Sequence, residues 1–149
     1  MSGTSLTGIN QNAIYYLFFY FLNIVLNEWE YLMEKTLFGR VGERLARQYL
    51  EQKGYHFLDS NFRTAHSEID LIMNDGGTLV FVEVKSRHNR RYGEPVEAVH
   101  PAKQRHIRLG ARAYVMKRRI EDTHIRFDVV EVMVSREGET KFRHTRNAF

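Results

Sequence analysis

Residues 67–87, SEIDLIMNDGGTLVFVEVKSR, decide the fold of this chain. Two aliphatic runs flank the tetrapeptide at residues 74–77, Asn-Asp-Gly-Gly, whose members tolerate the positive φ angles of a tight turn. The second run, residues 79–84, is apolar and β-branched apart from one acid, a composition typical of a strand that is at least partly buried. The stretch therefore predicts a β-hairpin in the interior of the domain.

Three charged residues lie within this apolar hairpin. Side chains of a strand alternate between its faces, so Glu83 and Lys85 share a face with Leu79 and Phe81. Asp70 lies on the preceding strand. Burying such groups is costly unless they pair with one another, with a metal or with a polar site. Two carboxylates and a lysine at one end of a hairpin predict a Mg²⁺-dependent phosphodiesterase.

The chemistry of phosphodiester hydrolysis assigns a role to each group. It requires a metal that polarises the phosphate, an activated water and stabilisation of the leaving oxygen. Mg²⁺, or Mn²⁺ in its place, prefers oxygen ligands and keeps several waters. Asp70, Glu83 and the backbone carbonyl of Val84 are the predicted ligands. Lys85 is expected to hold or help deprotonate the water, or to neutralise charge in the transition state, and Glu43 to close the site if its helix packs beside the hairpin.

Each acid also has a simpler interpretation, as a solvated or salt-bridged side chain. Glu68 shares a strand face with Asp70 and is either a ligand, an outer-shell partner or a surface residue. Asp128 is expected to form a structural salt bridge to Arg126.

Composition restricts the alternatives. The 149 residues are enough for one domain with a real core. The absence of cysteine excludes disulfide frameworks, thiol catalysis and cysteine-ligated metals. The seven histidines are scattered and form no helical His-x-x-x-His pair, so a zinc-protease site has no support.

The basic residues are unevenly distributed. Residues 1–34 contain no lysine or arginine and three acids, so the remainder carries 22 basic and 15 acidic residues. Such clustering suits a polyanion, although a solvated basic helix has the same composition. The predicted nucleic-acid contacts, with a capping or surface role equally open for the glutamine, are Arg87, Arg90, Arg91, Lys103, Gln104 and Arg108. No dedicated base-reading element is visible, so recognition directed by DNA structure is expected.

The N-terminal 34 residues differ from the rest. Residues 13–26, AIYYLFFYFLNIVL, are apolar and aromatic but shorter than a membrane-spanning helix requires. Three interpretations remain: a membrane-associated helix, a helix that docks on the domain or a partner, and a misplaced start codon. The domain is expected to occupy residues 35–149, and membrane association to matter only if the extension is real.

The remaining pattern gives the fold class. Residues 37–53 predict an amphipathic helix with Val41, Leu45, Tyr49 and Leu50 inward, ended by Gly54. Strands are expected at 55–63, 68–73, 79–85 and 124–134, with a short last one at 141–144. Pro101 is expected to open a helix that runs to about residue 119. This order predicts an α/β domain with a mixed sheet flanked by helices.

A family resemblance agrees with this order. Over residues 39–149 the chain resembles the YraN-type family of small bacterial proteins, whose sequences look like those of distant relatives of archaeal Holliday junction resolvases. The motifs that carry the resemblance are Gly42-Glu43, Ala46, Tyr49-Leu50, Gly54-Tyr55, Asn61-Phe62-Arg63, Glu68-Ile69-Asp70-Leu71-Ile72, Val80-Phe81-Val82-Glu83-Val84-Lys85, Gly93, Pro95-Val96-Glu97-Ala98-Val99, Lys103, Arg126-Phe127-Asp128-Val129-Val130 and Asn147-Ala148-Phe149.

The resemblance implies a restriction-endonuclease-like αβββαβ core of the PD-(D/E)xK superfamily. It implies that Asp70, Glu83 and Lys85 form the nuclease motif and that Glu43 is the helical acid that completes it. The chain departs from the pattern at two positions. Ser67 stands where this family usually has glycine, and Ile69 stands where the superfamily's name has proline.

The resemblance also implies a function. The expected protein is a cytoplasmic endonuclease, acting on branched or junction DNA in repair or recombination, and a homodimer because a four-way junction presents two equivalent strands. The alternative is a nucleic-acid-binding module that keeps the fold without cutting. RNA as the substrate stays open, because the chemistry does not depend on the sugar.

Overall fold

A computed structural model describes residues 11–88, 99–135 and 138–149. Its elements, in chain order, are α1 (Gln11–Gln52), β1 (His56–Arg63), β2 (Glu68–Asp75), β3 (Thr78–His88), α2 (Pro101–Arg118), β4 (Ile125–Val134) and β5 (Thr140–Thr145). The predicted order of helices and strands is confirmed, with boundaries that differ by a few residues except at the start of α1.

The five strands form one sheet in the order β1-β2-β3-β4-β5. Neighbouring strands are antiparallel except β3 and β4, which run parallel and are connected through α2. A hairpin meander followed by a helical crossover gives the mixed sheet expected of a restriction-endonuclease-like core.

The predicted turn between β2 and β3 is confirmed. Asp75 pairs with Thr78, which leaves Gly76 and Gly77 as a two-residue loop with φ angles of 57° and 92°. Both angles are positive, as the favoured hairpin turns require, and the backbone N–H of Gly77 donates to the side chain of Asn74 at 3.1 Å. This turn fixes the register that places the charged residues further along the hairpin.

The C-terminal part of α1 packs on one face of the sheet. Ala46 and Leu50 are fully buried against the aliphatic side chains of β2, β3 and β4. The prediction that Val41 faces inward is wrong, because its side chain is exposed and Gly42 is buried instead. The buried positions are thus 42, 46 and 50, spaced four residues apart, where a glycine allows the closest approach.

The second helix covers the opposite face of the sheet. Pro101 is its first residue, and the ring nitrogen of His100 accepts the backbone N–H of Ala102 at 3.2 Å. Ile107, Ala111 and Tyr114 are buried and pack with Phe81, Ile72 and Val129. The two helices therefore enclose the sheet between two apolar layers.

The chain divides into two compact units, Met1–Leu37 and Phe38–Phe149. In the first unit, residues 17–37 are helical and their side chains are exposed. Among the residues that the structure describes, no helix has an apolar stretch sufficient to cross a membrane. The three interpretations of the extension stay predictions.

Candidate active site

Asp70 lies where the ladder between β2 and β3 ends. The last paired residues are Leu71 and Val82, and the same register continued by one residue sets Asp70 opposite Glu83. Beyond this pair, a side-chain acceptor takes the place of a backbone carbonyl. The N–H of Val84 donates to Asp70 Oδ2 at 2.7 Å. Both carboxylates consequently lie at the point where the two strands stop pairing.

Burial makes the ionised form of Asp70 unfavourable. Burial first, and then the negative charge of Glu83, raise the pKa of Asp70 from 3.8 to about 7. The N–H of Val84 and the ammonium of Lys103 act in the opposite direction, and the charge of Glu43 adds a small further increase. Acids from β2, β3 and α1 therefore act on one region, where the ammonium of Lys103 opposes them.

Glu83 contributes an incompletely satisfied carboxylate. Its side chain is 12% exposed, and Lys103 Nζ from α2 approaches Oε2 to 3.2 Å. Oε2 is nevertheless buried and has no hydrogen-bond partner, so the contact is an ion pair without hydrogen-bond geometry. A buried carboxylate oxygen in this condition is suited to a cation.

Lys85 follows Glu83 on the same face of β3. It is partly buried and pairs in register with Glu131 of the parallel strand β4. Glu131 is only 4% exposed, its Oε2 lacks a hydrogen bond, and Arg143 Nη1 lies 3.6 Å from that oxygen. Sequence reasoning missed Glu131, although an acid within the apolar run of β4 resembles the signal that identified Glu83.

Glu43 reaches the region because α1 approaches β3 very closely. A Cβ added at Gly42 would lie 1.6 Å from Ser86 Oγ, so only glycine permits this approach. Glu43 Oε2 accepts a hydrogen bond from Asn61 Nδ2 at 2.9 Å. Asn61 has a positive φ of 52°, a conformation that asparagine tolerates. Glu43 is expected to close the site only if its helix packs beside the hairpin, and that packing is confirmed.

The donor set is compatible with a hydrated divalent cation. In the described ranges, no group of three Asp, Glu, His or Cys side chains is close enough to hold a metal by itself. Glu68 is held by Arg63 at 2.7 Å. Asp70, Glu83 and the Val84 carbonyl nevertheless offer oxygen atoms, one of them lacking a hydrogen bond, and Mg²⁺ completes its shell with water. The residues therefore fit Mg²⁺ or Mn²⁺.

The predicted nucleic-acid contacts have different environments. Lys103 pairs with Glu83, and Gln104 Nε2 donates to the carbonyl of Val99 at 2.8 Å, at the start of α2. Arg87 is exposed at the end of β3. Arg108 is exposed, with its guanidinium 5.5 Å from the ring centre of Phe127. Arg90 and Arg91 lie outside the described residues.

Comparisons with known proteins cover the region that contains these side chains. Residues 42–132 match the family model described as "Uncharacterised protein family UPF0102". The matched segment includes Glu43, Asp70, Glu83 and Lys85.

Full-length relatives share this similarity. A UPF0102 protein of Alkaliphilus metalliredigens is 42% identical over 117 residues, which cover 78% of this chain and 100% of that protein. UPF0102 protein STH1475 of Symbiobacterium thermophilum is 47% identical, covering 74% of this chain and 94% of its own length. A UPF0102 protein of Alkaliphilus oremlandii is 46% identical over 74% of this chain and 96% of its length.

Proposed function

We propose an endonuclease function for this chain, which belongs to the uncharacterised protein family UPF0102. This is the YraN-type family predicted from the sequence. The proposed reaction is metal-dependent hydrolysis of phosphodiester bonds. One observation carries the proposal: the partly buried carboxylates of Asp70 and Glu83 lie at the end of the β2–β3 ladder, and one buried oxygen of Glu83 has no hydrogen-bond donor.

The proposed ligands of the metal are Asp70, Glu83 and the carbonyl of Val84. When bound, the divalent cation supplies charge for a phosphate oxygen and lowers the pKa of water. The N–H of Val84 fixes the direction of the Asp70 carboxylate. Lys85 holds the attacking water or neutralises charge on the phosphate. The water gives up a proton to solvent as its oxygen attacks phosphorus, the bond from phosphorus to the leaving oxygen breaks, and the leaving oxygen takes up a proton from solvent. Glu43, fixed by Asn61, closes the site from α1.

The proposed substrate is DNA, with branched or junction DNA ahead of linear duplex, in repair or recombination. The basic composition of residues 35–149 supports a polyanionic partner. A homodimer would give each of two equivalent strands its own site.

The test is cleavage by the full chain. End-labelled four-way junction, flap and linear duplex DNA are incubated with Mg²⁺ or Mn²⁺ and, in parallel, with EDTA. An Asp70→Asn variant and a Lys85→Ala variant serve as controls, and matched RNA oligonucleotides test the sugar. We expect metal-dependent cutting that both substitutions abolish and that is fastest on branched DNA. Cutting that persists in EDTA or in Asp70→Asn would contradict the proposed site.

A second candidate is a nucleic-acid-binding module that does not cut. It is favoured by the ion pair between Lys103 and Glu83, which already supplies a cation to one of the two carboxylates. Salt-sensitive binding without turnover in either metal would establish this alternative.

A further inference from the structure

A groove on the surface between α1 and β1 adjoins the candidate active site. Its volume is about 470 Å³, within the range of ligand sites. The residues that line it, here called the arginine groove, are Arg40, Glu43, Arg44, Arg47, Ser60, Asn61, Arg63 and Leu71. All of them belong to the unit Phe38–Phe149. Four of the eight are arginines, and only one is an acid.

The spacing of the arginines of α1 is unfavourable for the stability of the helix. Arg40, Arg44 and Arg47 recur at intervals of four and three residues, so they share one face of α1. Like charges at this spacing destabilise a helix. In the part of the chain that the structure describes, Arg40 and Arg44 form no ion pair, and both are exposed. A bound polyanion would offset this repulsion, whereas a solvated surface leaves it uncompensated.

The other two arginines are held in place. Arg47 Nε donates to Glu51 at 2.9 Å, and its guanidinium lies 3.6 Å from the ring centre of Phe57. Arg63 donates two hydrogen bonds to Glu68 Oε1, at 2.9 and 2.7 Å. Fixed guanidinium groups lose less conformational entropy when they bind an anion, and their planar donors match phosphate oxygens.

Glu43 and Asn61 belong both to the groove and to the candidate active site. Both line the groove, and they are hydrogen-bonded to each other at 2.9 Å. Glu43 is also the acid proposed to close the site from α1, so the groove and the proposed site share this side chain. A nucleic-acid strand bound in the groove would therefore contact a side chain of the proposed site.

We propose that the arginine groove binds the phosphodiester backbone of the DNA strand next to the bond that is cut. Arg40 and Arg44 supply cations that form no ion pair within the described residues, and Arg47 and Arg63 supply cations that are hydrogen-bonded to an acid. Arginine contacts to phosphate oxygens fix the position of a strand without reading its sequence. This inference rests on the proposed nuclease function for the identity of its ligand.

The test measures binding separately from cleavage. The affinity of full-length protein for fluorescently labelled junction DNA is measured by anisotropy in EDTA, over a series of salt concentrations. An Arg40→Gln/Arg44→Gln variant is compared with Arg105→Gln/Arg112→Gln, which removes the same charge from the exposed face of α2. Cutting by each variant is then measured with Mg²⁺.

We expect the α1 variant to bind about tenfold or more weakly, and its dependence of log K on log salt to become shallower by about two. The α2 control should change affinity by less than about threefold. Equal losses of DNA affinity in the two variants, or no loss in the α1 variant, would overturn the proposal that the groove binds DNA. If the wild type binds without cutting and the α1 variant alone loses binding, the groove stands and the nuclease proposal fails. If the wild type cuts DNA and the α1 variant cuts it equally well, the nuclease proposal stands and the groove proposal fails. No binding by the wild type would overturn both.

Discussion

The Asp70 carboxylate accepts the backbone N–H of Val84 at 2.7 Å, one residue beyond the last pair of the β2–β3 ladder. The side chain thus does two things that oppose each other. It satisfies a backbone donor that would otherwise be unpaired, and it places a carboxylate beside Glu83 in a region of low dielectric. In the metal-free protein, the ionised carboxylate of Asp70 is therefore expected to lower the free energy of unfolding, by an amount that depends on pH.

Asp70→Asn should stabilise the metal-free protein at alkaline pH. Burial and Glu83 raise the pKa of Asp70 from 3.8 to about 7, so the folded state binds a proton more tightly than the unfolded state does. Stability should consequently fall as the pH rises from about 4 to 7 and then stay low. Asparagine keeps an oxygen for the Val84 N–H without the charge. The gain at pH 8 should reach at most about 4 kcal/mol.

The measurement is urea unfolding in EDTA at pH 4.5 and pH 8. The gain should be large at the higher pH and small at the lower one. A gain that is equal at the two pH values would show that ionisation of Asp70 does not cause it.

Asp128 should show the opposite dependence on pH. It is fully buried, and burial acts to raise its pKa, but hydrogen bonds from His144, Arg126 and the N–H of Asn147 outweigh burial and leave the pKa lowered. Its contribution to stability is therefore present above about pH 4 and is lost as the pH falls through the lower native value. The salt bridge predicted between Asp128 and Arg126 is confirmed at 2.9 Å.

Asp128→Asn should lower the free energy of unfolding at pH 7 by about 3–5 kcal/mol, because it leaves the buried guanidinium of Arg126 with less compensation. The difference from wild type should shrink below pH 4. Thermal unfolding followed by circular dichroism across this range checks both statements, and a difference that is independent of pH would contradict the assigned role.

The hairpin and its acids could be predicted because their signals are local. The alternation in β3 sets the faces of Glu83 and Lys85, and the two glycines of the turn fix the register that brings Asp70 beside them. The boundaries of α2 were likewise indicated by Pro101 and by the apolar periodicity of the helix.

Contacts between elements could not be predicted in the same way. The sequence gives no signal that Lys103 reaches Glu83, because that contact depends on how α2 crosses the sheet. In the sequence, Arg40 and Arg44 look like ordinary exposed residues of a helix. Only the packing of α1 beside β1 makes them line a groove. Periodicity predicts that Val41 faces inward because it favours the larger apolar side chain, whereas close packing at Ser86 requires Gly42.

Gly42→Ala should destabilise the domain and displace Glu43. The added Cβ would lie 1.6 Å from Ser86 Oγ and 2.8 Å from Ser86 Cβ, so rotation of the serine hydroxyl cannot relieve the overlap. Overpacking of this kind costs about 1–3 kcal/mol. Because Glu43 follows directly, we also expect DNA cleavage to fall by more than the loss of folded protein explains.

Gly39→Ala is the matched control in the same helix, since its Cβ would contact nothing within 4 Å. It should stabilise the protein by up to about 1 kcal/mol, the difference in helix propensity. Adding Ser86→Gly to Gly42→Ala should restore part of the cleavage rate. Failure of that double variant to recover would show that the close approach does not position Glu43.

Divalent cations should stabilise the folded protein through Asp70 and Glu83, and Lys103 should oppose them. Binding to the folded state raises the melting temperature according to ligand concentration and affinity. Because a proton competes for Asp70 below about pH 7, the increase with Mn²⁺ should be larger at pH 8 than at pH 6. Removing the ammonium of Lys103 from Glu83 in Lys103→Gln should raise the affinity for Mn²⁺ about three- to tenfold, since the two cations compete for one carboxylate.

Differential scanning fluorimetry over a series of Mn²⁺ concentrations measures all three effects. Asp70→Asn should abolish the increase, and Glu121→Gln, which removes an exposed acid elsewhere, should leave it unchanged. Weaker binding in Lys103→Gln would mean that the lysine supports the metal site and does not compete with it. An equal increase in wild type and Asp70→Asn would remove Asp70 from the proposed ligands, because the cation would then be binding at another position.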